Sequence, residues 1–216
     1  MTLKPTRVPL GPVGFRKLTN VSRETFNRLV IYVDLLSTWN ARINLVGRNT
    51  MGDVWRRHIL DSAQLYPHIP QGTCLLIDLG SGAGLPGLIL SILGVPEVHL
   101  VEADARKAVF LREAARLTDA AVTVHAVRID RVKPFVAQVV TARALAPLIE
   151  LLEISERFRA PSTSCLFLKG ENAQEELTLA SKQWNMTAHQ SPSLSDPSGC
   201  ILRLENIIRD PSAGSR

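Results

Sequence analysis

The run Cys74-Leu-Leu-Ile-Asp-Leu-Gly-Ser-Gly-Ala-Gly-Leu-Pro-Gly87 narrows what this chain can fold into more than any other feature. An apolar segment of strand length ends in three alternating glycines, Gly80, Gly82 and Gly84. Pro86 follows, a residue suited to the first turn of a helix because its missing N–H would be unpaired there anyway. A strand, an open backbone turn and a helix in that order begin an α/β sheet whose ligand meets the main chain at the strand's carboxyl end.

The alternation continues downstream. β-rich runs at residues 74–79, 98–102, 122–127, 136–141 and 164–168 are separated by helical patterns at 86–93, 105–117, 147–158 and 173–184, as expected for right-handed crossovers in a doubly wound, mostly parallel, Rossmann-like sheet. The ending differs. Runs at 186–190 and 200–206 are joined by a Ser/Pro/Gly segment with no helix between them, which predicts a C-terminal antiparallel hairpin and favours the methyltransferase variant of the fold over a plain dinucleotide-binding one.

Ahead of the sheet, Ser22 is placed to cap a helix carrying Phe26, Leu29, Val30, Val33 and Leu36, and a second helix is expected from Asp53 to Tyr66. The expected organisation is a flexible arm (1–20), a helical segment (21–72), the main domain (73–208) and a tail (209–216). Of the formal net charge of +5, residues 1–72 carry +6 and the remainder −1, an asymmetry that suits a polyanionic partner as well as a solvated basic surface. No apolar run reaches the ~18 residues of a membrane span, so the expectation is a cytoplasmic monomer. Cys74, Cys165 and Cys200 read as small core residues, and the five histidines lack metal-ligand spacing.

Gly82-Ala-Gly84-Leu-Pro-Gly87 also fits the G-x-G-x-x-G of nicotinamide cofactor sites. Asp78, two residues before Gly80, separates the two readings: a carboxylate there would repel a diphosphate but meet the cationic amino acid end of S-adenosylmethionine. Glu102, closing the second strand, suits the ribose hydroxyls of either cofactor. Two readings stay open beside a methyltransferase at this point, a nicotinamide-dependent oxidoreductase and a non-catalytic RNA-binding module.

Over about residues 35–206 the chain resembles the bacterial small-subunit (16S) ribosomal RNA guanine-N7 methyltransferases, the glucose-inhibited division protein B family. The resemblance rests on Trp39-Asn-Ala-Arg-Ile-Asn-Leu-Val46, Arg57-His-Ile-Leu-Asp-Ser62, the Asp78–Gly87 turn, Arg106-Lys-Ala-Val-Phe-Leu111, Ala142-Arg-Ala144 and Leu168-Lys-Gly170. It implies that Gly80, Ser81, Gly82, Gly84 and Leu85 hold S-adenosylmethionine, that Ile129 and Asp130 border the adenine, and that Arg143 lies beside cofactor and target base. It further implies a 16S ribosomal RNA or small-subunit partner. Glu102 stands where the family commonly has Asp, and Asp104-Ala-Arg-Lys107 replaces a Gly-Lys-Arg run.

Guanine N7 has a free lone pair, so positioning and not proton removal is the expected contribution of the protein. The candidate catalytic residues are Arg143, His58 and Asn44. His58 and Asp61, three apart on the expected helix, are placed to fix each other, and Asn44 to cap or to bind substrate. Arg143 and Lys169, at strand ends, are placed to grip phosphate or guanine O6, phosphate being favoured because a close arginine would oppose the cationic methylated base, with Arg106, Lys107 and Arg112 as further RNA contacts.

Overall fold

A computed structural model describes residues 9–211. A seven-stranded sheet is formed by β1 (Leu75–Leu79), β2 (Glu97–Val101), β3 (Val122–His125), β4 (Val139–Arg143), β5 (Ser164–Lys169), β6 (Trp184–Pro192) and β7 (Cys200–Arg209), in the order β3-β2-β1-β4-β5-β7-β6. The first five strands are parallel, whereas β7 is antiparallel to both β5 and β6. The expected C-terminal hairpin is therefore present and longer than its apolar pattern suggested.

Both faces of the sheet are covered. On one, α2 (Arg23–Asn40), α4 (Gly87–Ile92) and α5 (Ala105–Thr118) share an apolar core with Leu76, Val98, Leu100, Val139 and Leu166. On the other, α6 (Leu148–Ser155) and α7 (Ala173–Ala180) pack with Ile77, Val101, Val140, Phe167 and Leu202. This two-sided burial is why the central strands read as continuous apolar runs.

The N-terminal helices are built into the first of these cores. Ser22 Oγ accepts from the Thr25 N–H at 3.0 Å, capping α2 as its position suggested. α2 then buries Leu29, Tyr32, Leu36 and Asn40, and Arg28 donates to the carbonyls of Thr118 and Asp119 at the end of α5. The flexible arm expected over residues 1–20 needs correction within the described residues. Pro12–Thr19 form a helix, α1, whose Phe15 is fully buried with its ring 5.3 Å from Trp55, and the Leu10 N–H donates to Asp53 Oδ1. A two-turn helix anchored by one aromatic is too short to show a period, yet burying such a ring contributes about 2 kcal/mol. Residues 1–8 and 212–216 lie outside the described residues.

The helix expected from Asp53 to Tyr66 is also different in kind. A 3-10 turn, Arg48–Asp53, leads into a π-helical segment, Trp55–Leu60, closed by the short α3, Asp61–Ala63. Cys74, expected in the core, is exposed just before β1, while Cys165 and Cys200 are buried. No helix among the described residues is long and apolar enough to cross a membrane.

Packing at the start of α4, behind the glycine turn, is tight. A Cβ on Gly87 would come within 2.6 Å of both Asp78 Cβ and Leu100 Cδ2. Gly87→Ala should lower stability by about 1–3 kcal/mol, read as a fall in the urea midpoint with an unchanged slope.

Candidate active site

The loop Gly80–Pro86 is held by three side chains, Tyr32 and Asp78 from behind and Glu102 from the cavity side. Tyr32, fully buried on α2, donates its hydroxyl to the Ala83 carbonyl at 2.7 Å; burial pushes that phenol well above its ordinary pKa and keeps it a donor. Asp78 accepts from Thr141 Oγ1 at 2.7 Å and from the Gly87 N–H at 3.2 Å. Glu102 accepts from the Gly82 N–H through one oxygen and from the Asp104 N–H through the other, each at 2.8 Å. Gly80, Gly82 and Gly84 take φ of 67°, 56° and 85°, the left-handed region that favours glycine.

In front of the loop lies a cavity of about 530 Å³, within the range of small-molecule sites. Of the residues expected to hold a cofactor, Gly80, Ser81, Gly82, Leu85, Glu102, Ile129, Asp130 and Arg143 line it, and Ala103, Lys107, Val127 and Glu150 join them. Two do not. Gly84 packs its α-carbon against Leu88 and Leu111, where a Cβ would come within 2.7 Å of the Leu88 side chain. Asp78 is 0% exposed, with both oxygens taken by the protein, so the direct contact with a ligand's amino acid end expected from its place before Gly80 is corrected to a role behind the turn. Sequence position located the strand end; it did not show that the side chain faces inward.

Arg143, at the end of β4, separates this cavity from a second one of about 360 Å³ and lines both. Its guanidinium donates to Asp61 Oδ2 at 3.0 Å and to the Arg57 carbonyl and His58 Nδ1 at 3.3 Å. All three acceptors come from the π-helical segment and the residue after it. Such wider turns recur at functional sites, and no sequence period announces them.

His58 and Asp61 were expected to fix each other; instead both hold Arg143. His58 Nε2 is 2.7 Å from Thr50 Oγ1, whose hydroxyl donates to the Gly47 carbonyl. With Nδ1 accepting from Arg143, the imidazole is neutral and protonated on Nε2. Burial, then the charges of Arg143 and Arg57, lower its pKa to about 3. Both ring nitrogens are engaged, so His58 orients Arg143 and is not placed as a general base. Asp61 also accepts from Gln64 and, through a short contact, from Ser195 in the β6–β7 loop.

Other expected contacts move elsewhere. Lys169 Nζ donates to the Ala146 carbonyl at 3.0 Å and pairs with Glu176 at 2.6 Å, its side chain 8% exposed. Glu176 also accepts the Leu148 N–H at the start of α6. Lys169 thus belongs to an internal ion pair on the wall of the second cavity, not to a phosphate grip. Arg143 has its charge met by Asp61 from within while it lines both cavities. Asn44 is exposed beside the cavity wall formed by Leu45, and it is Asn40, buried, that caps the segment, accepting from the Leu45 and Val46 N–H groups at 2.9 Å. Arg106 and Arg112 are exposed on α5; Arg106 pairs with Asp104, and Lys107 faces the first cavity. Sequence reasoning missed Tyr32, Thr141 and Glu150, and it gave to Asn44 the capping role that Asn40 holds. Only for Tyr32 was there a signal, its place on the apolar stripe of α2.

The titrations of Asp78 and His58 oppose one another. Asp78 is raised from 3.8 to about 6 by burial, against the lowering effect of its hydrogen bonds, so the folded protein binds more protons there than the unfolded chain between about pH 4 and 6. His58, lowered from 6.5 to about 3, binds fewer in the same window, and its contribution to stability is full above pH 6.5 and lost on acidification. Asp78→Asn removes the compensating group. The variant's stability should fall on acidification from pH 6 to 4 more steeply than that of the parent, by up to about 1.4 kcal/mol per pH unit, measured by urea unfolding.

Comparison with known proteins agrees with this geometry. Residues 25–198 match the family model described as GidB, rRNA small subunit methyltransferase G. Relatives include Ribosomal RNA small subunit methyltransferase G of Paramagnetospirillum magneticum, 54% identical over 93% of this chain and 98% of its own, and that of Rhodospirillum centenum, 55% identical over 94% and 95%. Among solved structures, M. jannaschii TYW2 in complex with AdoMet has a TM-score of 0.56 at 14% identity, covering 72% of this chain and 77% of that one. The ribosomal protein L11 methylase of Lactobacillus delbrueckii subsp. bulgaricus has a TM-score of 0.55 at 12% identity, covering 67% and 76%. At such identities these two share the fold alone. The sequence matches go further: this chain belongs to the GidB family of rRNA small subunit methyltransferases.

Proposed function

We propose that the protein transfers a methyl group from S-adenosylmethionine to N7 of a guanine in small-subunit (16S) ribosomal RNA, presented as free RNA or within the small ribosomal subunit. The observation that carries this reading is the meeting of two cavities at one clamped arginine, Arg143. Family membership weighs against the nicotinamide and non-catalytic readings.

The first cavity has the donor set for the cofactor. Gly82 leaves main chain open, since a Cβ there would meet only the Gly80 carbonyl at 3.9 Å. Glu102 keeps lone pairs for ribose hydroxyls beyond the two it gives to backbone N–H groups. Leu85, Val127 and Ile129 offer apolar surface for a purine, and Asp130 and Glu150 add negative charge that suits a cationic ligand. Bound S-adenosylmethionine would supply an electrophilic methyl group, which the guanine N7 lone pair would take up with the methyl–sulfur electrons leaving on sulfur.

No proton need leave the base, and the groups at the junction are consistent with that: His58 is neutral with both nitrogens bonded, and Asp78 is sealed behind the loop. The charge of Arg143 is met by Asp61 at 3.0 Å, which reduces its repulsion of both a sulfonium and a methylated, cationic base. Arg143 is thereby able to stand at the junction as a fixed donor, a preorganised arrangement that accelerates transfer by positioning.

Labelled methyl transfer to small-subunit particles and to naked ribosomal RNA, followed by nucleoside mass spectrometry, tests the reading. The expected product is 7-methylguanosine, and no incorporation into either substrate would defeat the proposal. Arg143→Ala should lower kcat/KM by about 100-fold, the scale of losing one preorganised donor.

A further inference from the structure

The second cavity opens beside Arg143 along the carboxyl ends of β4 and β5 and the start of β7. Three carboxylates line it. Asp61 is spent on Arg143, Gln64 and Ser195, and Glu176 on Lys169 and the Leu148 N–H. Asp196 differs. Its Oδ1 accepts from the Ser198 N–H and hydroxyl, but Oδ2 meets, among the described residues, the Arg57 guanidinium at 2.7 Å. The two side chains are 34% and 42% exposed, and a pair this open to solvent is held weakly. The hydrogen bond from Arg57 and the N–H of Ser198 hold the Asp196 carboxyl down at about 2, so it is an acceptor at neutral pH.

Each partner in this pair imitates a piece of a nucleotide. The N1–C2–N2 unit of guanine is a guanidine within a ring, presenting the N1–H and N2–H donors that a carboxylate pairs with, as it pairs with arginine. A phosphate, in turn, offers a guanidinium the oxygens that a carboxylate offers. The edge carrying N1 and N2 lies opposite N7, and the loop bearing Asp196 enters β7, two strands along the sheet edge from β4, where Arg143 separates this cavity from the cofactor cavity. Resting on the guanine-N7 reading above, we propose that Asp196 selects the acceptor base by accepting from the guanine N2 amine through the Oδ2 that Arg57 releases, and that the freed Arg57 takes a phosphate of the same RNA.

Small-subunit particles carrying guanine or hypoxanthine, which lacks the N2 amine, at the modified position test the first exchange. The unsubstituted protein should favour guanine in kcat/KM by about tenfold or more. Asp196→Ala should bring that ratio close to one while its melting temperature and its calorimetric affinity for S-adenosylmethionine stay at parental values. For the second exchange, Arg57→Gln should reduce the slope of log RNA affinity against log salt by about 0.7–0.9, one phosphate contact, and keep the guanine preference. A parental protein indifferent to the N2 amine, or an Asp196→Ala variant that retains the preference, overturns the assignment of Asp196. An unchanged salt slope overturns that of Arg57. If the parental protein methylates guanine elsewhere than at N7, the function reading fails by itself, which the product nucleoside's chromatographic retention against methylguanosine standards separates from a loss of base preference.

Discussion

The carboxylate of Asp78 sits with no exposure where β1, β4 and α4 meet, and most of the site depends on it. One oxygen takes the Thr141 hydroxyl and so ties β1 to β4; the other takes the Gly87 N–H and so fixes the start of α4. Removing one acceptor from such a place leaves buried donors unpaired, at about 1–3 kcal/mol each. Between its two ends the glycine loop has few conformations left. Tyr32 from α2 and Glu102 from the end of β2 close the remaining freedom at Ala83 and Gly82. The N-terminal helices thereby take part in the cofactor cavity, although among the described residues of that region only Leu45 lines it.

The same economy governs Arg143. A guanidinium at a strand end would ordinarily be mobile and charged towards solvent. Here the π-helical turn brings a carbonyl, an imidazole nitrogen and a carboxylate onto it together. Asp61 is held in turn by Ser195, which makes the β6–β7 loop a remote support of the junction between the cavities. A neutral histidine used as an acceptor, with a pKa pushed down to about 3, is the electrostatic signature of that support.

The succession of strands and helices along the chain, the terminal hairpin and the location of the glycine turn were legible because each rests on period and punctuation, which sequence displays directly. Glu102 could be placed on the cavity from its position after the second strand, whereas Ile129 and Asp130 were placed there by the family resemblance. Side-chain direction was not legible. Asp78, Lys169 and Arg143 all stand where ligands bind, yet two of them are spent on the protein and the third is clamped by it. Distant partners such as Thr141, Glu176 and Asp61 decide this, and nothing in the local pattern reveals them. The π-helical segment was hidden likewise, since its stripe of apolar residues reads as an ordinary helix, and Phe15 anchors α1 by a contact 40 residues away in sequence.

Determining the structure of the protein with S-adenosylmethionine bound addresses the division of labour between the front and the back of the glycine loop most directly. The cofactor should lie against Gly80 and Gly82 with its ribose hydroxyls on Glu102, while Asp78 keeps Thr141 and Gly87 and touches no ligand atom. A cofactor whose amino acid end reaches the Asp78 carboxylate, or one bound away from Glu102, would contradict it.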